Sequence, residues 1–215
     1  LDAYGIPVAR SVSAASLAEL TGVARGFHFP VVLKAISADI VHKTEVGGVA
    51  LDLRTPEELT TAARRMTESL AQHRRTQRES GSTPAPAFLL QEYVRGGREV
   101  IIGMTQDPNF GPLVMFGLGG IYVETLKDVV FRVPPLTDLD AEEMIRQIRG
   151  YRLLEGVRGE PPIDFKNLAE LLQRFSQLVE DLPQVAEIEI NPFLVFPDAK
   201  DFRAVDARVR LAESP

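Results

Sequence analysis

The chain has 215 residues, 45% hydrophobic and 25% charged, with a formal net charge of −6 and no cysteine. That length and composition fit one large globular domain or two small lobes, and exclude a disordered tail. The acidic balance argues against a nucleic-acid partner, the lack of cysteine excludes disulfides and thiolate chemistry and fits a reducing cytoplasm, and no apolar run has the length of a membrane span or signal peptide.

The opening residues LDAYG read as the end of something begun earlier, so a piece of a longer polypeptide is expected. Ile6 to Val12 is predicted as a strand, and Ser13 as the cap of a helix with Leu17, Leu20, Val23 and Ala24 on one face. His28, between Phe27 and Phe29, is expected to pack. Val31 to Leu33 is a short apolar strand with Lys34 at its end, and Val49 to Leu53 alternates as a second strand. Thr55-Pro56-Glu57-Glu58 is a helix start, and Leu59, Ala62, Ala63, Met66 and Leu70 form the stripe behind it. His73 belongs on that helix's solvated side. After a flexible connection from Glu79 to Pro86, strands are predicted over Ala87 to Val94, Arg98 to Thr105, Pro112 to Phe116 and Val129 to Val133. Thr137 or Asp138 caps a helix reaching Ile148, and Asp164 caps one over Phe165 to Leu182. Two strands, Val185 to Ile190 and Phe202 to Leu211, close the chain. Strands and helices mix throughout, so the class is α+β with mixed or antiparallel sheets.

Three stretches carry candidate chemistry. Between the second and third strands lie Lys34, a loop with His42-Lys43-Thr44, and Gly47-Gly48. A mobile cation and a backbone open to close approach suit an anion such as a phosphate, although the same residues make an ordinary solvated hairpin. Phe116-Gly117-Leu118-Gly119-Gly120 with Glu124 is a glycine-rich loop, neither Walker A nor GxGxxG, and on its own a tight bend explains it. In Val185 to Asn191 the alternation puts Ile188 and Ile190 on one face, and Glu187, Glu189 and Asn191 on the other. An antiparallel partner strand with Val205, Ala207 and Val209 on its apolar side would bring Asp206 to Asn191. Oxygen ligands without Cys or His suit Mg²⁺, while a polar face balanced by Arg208 and Arg210 is the plain alternative.

The run LKAISADIVHKTEVGGV resembles the signature loop of the ATP-grasp domain of ADP-forming (NDP-forming) acyl-CoA synthetases, relatives of succinyl-CoA synthetase. The segments GLGGIYVE, EINP and DAR follow in the family's order, and LEGVRGEPP is a further marker, a rigid connection in which Arg158 is expected to pin an acid. The resemblance implies an ATP-grasp fold of two lobes gripping nucleotide, divided as 1–94 with the phosphohistidine loop and 95–215 with the metal-binding strands. It implies Lys34 on nucleotide phosphates, His42 as phosphoryl carrier and Glu124 orienting a cation or the histidine. Gln91, Glu92 and Val94 match the hinge at the adenine edge, Glu99 the acid on the ribose hydroxyls, and Gly119 and Gly120 the loop near the phosphates. Glu189, Asn191 and Asp206 match the Mg²⁺ ligands.

The implied function is a nucleotide-binding subunit or domain of an ADP-forming acyl-CoA synthetase, an acid–thiol ligase passing a phosphoryl group between a phosphohistidine and ADP or ATP. Acid and CoA would be handled by a CoA-binding, alpha-like domain or subunit, fused or separate, without which the chain makes no acyl-CoA. Two other functions share these features: a regulatory domain of a fused protein lysine acetyltransferase, and an ATP-grasp carboxylate–amine ligase. The HKTEVGG loop disfavours the second, since acyl-phosphate chemistry needs no histidine carrier.

Overall fold

The structure, a computed structural model, describes residues 1–36, 47–76, 87–120, 128–157 and 159–212, without the side chains of 74–76. His42, Lys43, Thr44, Glu124 and Arg158 lie outside the described residues. The chain forms two compact units, Ala9–Val94 and a second made of Leu1–Val8 with Arg95–Pro215.

The first unit holds strands β1 (Ser11–Ala14), β2 (Val31–Ile36), β3 (Val49–Leu53) and β4 (Ala87–Glu92), antiparallel in the order β1-β4-β2-β3. Helix α1 (Leu17–Ala24) starts at Ser16 rather than Ser13. The Ser16 hydroxyl accepts the Glu19 N–H at 3.2 Å, and the Glu19 carboxylate accepts the Ala15 N–H at 2.8 Å, a reciprocal cap that Ser13 cannot make from within β1. Helix α2 (Pro56–Thr76) begins as its sequence predicts, with Thr55 Oγ1 accepting the Glu58 N–H at 3.1 Å. Its buried Leu59, Ala63, Met66 and Leu70 join Leu20, Leu33, Phe88 and Leu90 in one core. Each large apolar side chain so buried stabilises the unit by roughly 1.5–3 kcal/mol. The packing expected of His28 falls to Phe27, which is buried under the Arg10 guanidinium at 4.6 Å, while His28 is exposed. His73 is half-buried rather than fully solvated.

The second unit holds β5 (Arg98–Asp107), β6 (Gly111–Leu118), β7 (Val129–Arg132), β8 (Val185–Val195), β9 (Arg203–Ala204) and β10 (Ala207–Leu211). They pair antiparallel in the order β10-β8-β5-β6-β7, with β9 on β8. Helices α3 (Asp138–Gln147), α4 (Tyr151–Leu154) and α5 (Phe165–Asp181) supply Met144, Ile145, Leu168, Leu172 and Phe175 to a core shared with Ile102, Met104, Phe116, Ile188 and Ile190. Thr137 caps α3 in a reciprocal box with Asp140. Hydrogen bonds from Thr137 hold the Asp140 carboxyl below the usual carboxylate range.

Three strands depart from their predicted extents. The first, expected over Ile6 to Val12, is β1 at Ser11–Ala14, because the pairing with β4 runs only over those residues, while Val8 makes a single bridge to Ala204. β8 runs on past Ile190 to Val195, because Val100, Glu99 and Arg98 continue the pairing with Phe193, Leu194 and Val195. A register shift between Val100 and Ile102 takes up the irregularity beside Pro192, which has no N–H to donate. The predicted last strand divides into β9 and β10, and the expected apolar side of β10 is not buried: Val209 is 53% exposed at the edge of the sheet. Among the described residues, no helix is long and apolar enough to cross a membrane.

Candidate functional site

In the first unit the alternation of β2 sends Val31, Leu33 and Ala35 into the helix-covered core, so Val32 and Lys34 share the other face. β2 continues past Lys34 because the Ala35 N–H donates to the Gly48 carbonyl at 2.8 Å and Ile36 still pairs with Ala87. Gln91 stands opposite Val32, and Leu89 opposite Lys34. Lys34 and Gln91 are therefore diagonal neighbours on one face, with 8% and 3% exposure. Burial of a lysine head and an amide on the face away from the helices is unusual among solvated sheet surfaces. Glu92 is committed to the strand end: its carboxylate accepts the Arg10 N–H and its N–H donates to the Arg10 carbonyl, both at 2.9 Å. Val94 lies two residues beyond β4, half-buried.

The second unit gathers the other nominated residues that are described. Asn191 is their centre. Its Oδ1 accepts the Gly120 N–H at 3.2 Å, its Nδ2 donates to the Glu189 carboxylate at 3.2 Å, and its backbone N–H donates to the Asp206 carbonyl at 3.1 Å. Glu99 closes the group from β5. Its backbone carbonyl accepts the Gly119 N–H at 2.8 Å, and a Cβ on Gly120 would overlap its carboxylate. Gly120 has φ +61, a left-handed conformation that favours glycine. A Cβ on Gly119 would lie 2.9 Å from the Val100 backbone, so both glycines are needed for the loop to lie this close to β5.

Glu189, Asn191 and Asp206 offer only oxygen donors from side chains, the set a hard cation such as Mg²⁺ takes. The Asn191 carbonyl oxygen keeps a second lone pair beyond the one met by Gly120. The residues present therefore fit that ion. Among the described residues no three or more His, Cys, Asp or Glu cluster, so this set stands at two carboxylates and one amide. Beside it, Arg210 pairs with Glu187 at 3.1 Å and Arg208 stands opposite Glu189, lining with Val209 a cavity of about 230 Å³. A wider cleft of about 530 Å³ lies on the helical side, over Ile145, Tyr151, Phe165 and Ala169. None of the nominated residues lines it, and its rim charges are spent on one another through Arg146–Glu142 and Lys166–Glu170 pairs. Donor chemistry, not size, marks the site.

Two contacts were not foreseen from the sequence. Asp128 is a buried carboxylate, invisible because an acid at the start of a strand ordinarily faces water. Arg98 secures the Glu160–Pro161 segment, donating to the Glu160 carboxylate at 3.3 Å and the Pro161 carbonyl at 2.9 Å.

Comparison with known proteins shows the family. Residues 1–211 match the ATP-grasp domain family. The chain is 41% identical over 211 residues to the ADP-forming 4-hydroxybutyrate–CoA ligase of Nitrosopumilus maritimus, covering 98% of this chain and 29% of that protein. It is also 41% identical to the beta subunit of ADP-forming acetate–CoA ligase I of Pyrococcus furiosus, covering 98% of this chain and 88% of the subunit. A solved acetyl-coenzyme A synthetase of Ca. Korarchaeum cryptofilum, in complex with coenzyme A and Mg-AMPPCP and with its phosphohistidine segment pointing towards the nucleotide binding site, superposes with a TM-score of 0.81 at 39% identity, over 98% of this chain and 88% of that one. The chain thus spans less than a third of the first relative and most of a free-standing subunit. With the family matched across residues 1–211 and a beta subunit covered almost whole, this chain belongs to the ATP-grasp domains of the ADP-forming acyl-CoA synthetases.

Proposed function

We propose that this chain is the nucleotide-handling part of an ADP-forming acyl-CoA synthetase, acetyl-CoA-like in its substrate class. The whole reaction is acyl-CoA + ADP + phosphate giving acid + CoA + ATP, reversibly. The chain's share is the phosphoryl exchange between His42 and nucleotide. A terminal ADP oxygen attacks phosphorus on His42, the O–P bond forms as the N–P bond breaks, and the imidazole keeps the electron pair. Acid and CoA are handled by a CoA-binding domain or subunit.

Each unit has its own part. The unit Ala9–Val94 carries the phosphohistidine loop, with Lys34 as a point charge for phosphate oxygens and Gln91, Glu92 and Val94 at the base. The unit of Leu1–Val8 with Arg95–Pro215 carries Glu99 for the ribose diol, which an acceptor-only carboxylate suits. It also carries the Gly119–Gly120 backbone for phosphate, and Glu189, Asn191 and Asp206 for the metal. Glu124 is assigned to orienting a cation or His42. Mg²⁺, when bound, supplies charge neutralisation on the transferring group.

The observation that carries this reading is Asn191, which ties the glycine loop, Glu189 and Asp206 into one oxygen-rich group. Mixing the chain with a CoA-binding partner of an ADP-forming acetate–CoA ligase should give ATP from acetyl-CoA, ADP and phosphate, and neither component alone should. Turnover by the partner alone, or none by the mixture with any acyl-CoA, overturns the assignment.

A further inference from the structure

A buried carboxylate outside the nominated set lies directly behind the glycine loop. Asp128 is 6% exposed. Its Oδ1 accepts the Arg149 N–H and its Oδ2 accepts the Gly150 N–H, each at 2.7 Å. Two consecutive amides on one carboxylate are charge-assisted bonds, and they offset the cost of taking the charge out of water. A space-filling residue would need no such cradle. An Asn here would turn its NH₂ group toward one of the two amides and lose that bond.

The cradle touches the loop on two sides. Gly117 approaches the Asp128 carbonyl so closely that a Cβ would overlap it, and a Cβ on Gly150 would overlap Leu118. Leu118, 3% exposed, immediately precedes the two glycines whose amides donate to the Glu99 carbonyl and to Asn191 Oδ1. In a close-packed interior, a shift of Gly150 is passed on to Leu118 and the backbone beyond it. We propose that Asp128 is a positioning residue for the Gly119–Gly120 backbone, holding the Gly120 amide against Asn191 through Gly150 and Leu118; its bearing on catalysis rests on the proposed nucleotide site.

The test compares Asp128→Asn with Ser176→Ala in the full chain. Ser176 is buried in the same unit and accepts the Leu136 N–H at 3.0 Å, so its loss reports generic destabilisation. Hydrogen exchange of the Gly120 amide, in chain without nucleotide, should quicken about tenfold in Asp128→Asn, the scale of one lost charge-assisted bond, and stay near wild type in Ser176→Ala. Titration with Mg·AMPPCP should show Kd rising about tenfold in the first variant only. Leu118→Ala removes the transmitting side chain with the cradle intact, and should quicken the same exchange. It decides the matter should Asp128→Asn not fold. Unchanged Gly120 exchange in the variants that fold overturns the positioning role. Wild-type chain that binds no Mg·AMPPCP overturns the nucleotide reading instead, and the exchange comparison still judges Asp128.

Discussion

Asn191 and Gly120, 71 residues apart in sequence, meet side chain to backbone at 3.2 Å. The same side chain holds Glu189, and the same residue's N–H holds the Asp206 carbonyl. The glycine loop, Glu189 and the Asp206 backbone are thereby fixed to one another, which lowers the ordering cost of any ligand bound there.

Removing that junction should separate metal from nucleotide. Asn191→Ala with Asp206→Ala is expected to abolish the Mg²⁺ dependence of ATP binding. Calorimetry with and without Mg²⁺ checks it; tight, metal-dependent binding in the double variant would sink the metal assignment.

Glu99→Ala should act on the sugar and not the phosphates. A lost hydrogen bond from a hydroxyl to a carboxylate costs about 1–3 kcal/mol. Affinity for ATP should fall by that amount while affinity for inorganic triphosphate stays. Equal losses for both ligands would show that Glu99 acts only by supporting Gly120.

His42 separates a phosphoryl relay from a nucleotide scaffold. Neutral imidazole has the lone pair that attack on phosphorus requires. With γ-labelled ATP and the CoA-binding partner present, the chain should take up an acid-labile, base-stable phosphate. His42→Ala should remove the label and leave ATP binding nearly intact. A label that survives the substitution, or turnover that continues without His42, rules out the relay.

The cap of α3 predicts a pH effect on stability alone. Thr137 lowers the Asp140 pKa in the folded chain, through its side-chain hydroxyl first and its backbone N–H second. A depressed folded pKa means the carboxylate contributes stability above its unfolded pKa, and that contribution is lost as pH falls through the folded value. Thr137→Ala should lower Tm more near neutrality than in acid, where only the loss of the bond from the Asp140 N–H to the Thr137 hydroxyl remains. Melting curves taken between about pH 7 and pH 2, a range spanning ordinary carboxylate titration, decide it. A constant offset across that range would mean Asp140 has no part in the cap.

Much of this was legible in the chain itself, and the exceptions have physical causes. Ile188 and Ile190 point into the core as their alternation requires, and Thr55, Thr137 and Asp164 cap the helices they precede. Ser13 and Ser16 both precede the same apolar stripe, and the choice fell to Ser16 because only there does Glu19 bond back. Val209 alternates like a core residue, yet it stays 53% exposed because β10 is the edge strand of its sheet. In the site, spacing could place Asn191 beside Asp206 because β9 and β10, which flank Asp206, both pair with β8. The approach of Gly120 to Glu99 depends on two missing Cβ atoms and a left-handed turn, which no periodicity encodes.

The tie between the chain's first residues and its last third has a further consequence. The Ala204 N–H donates to the Pro7 carbonyl at 2.7 Å, and Tyr4 donates to Asp181 at 2.9 Å across 177 residues. The unit Ala9–Val94 is thus an uninterrupted stretch spliced into its neighbour, and on the ribosome it is complete while its neighbour is only begun. The outer unit waits for its final strands before its opening residues find their partners, so its closure depends on long-range contacts and should be the slower of the two. A chain stopped short of Ala204 retains every residue of the inner unit and leaves the outer one unsealed.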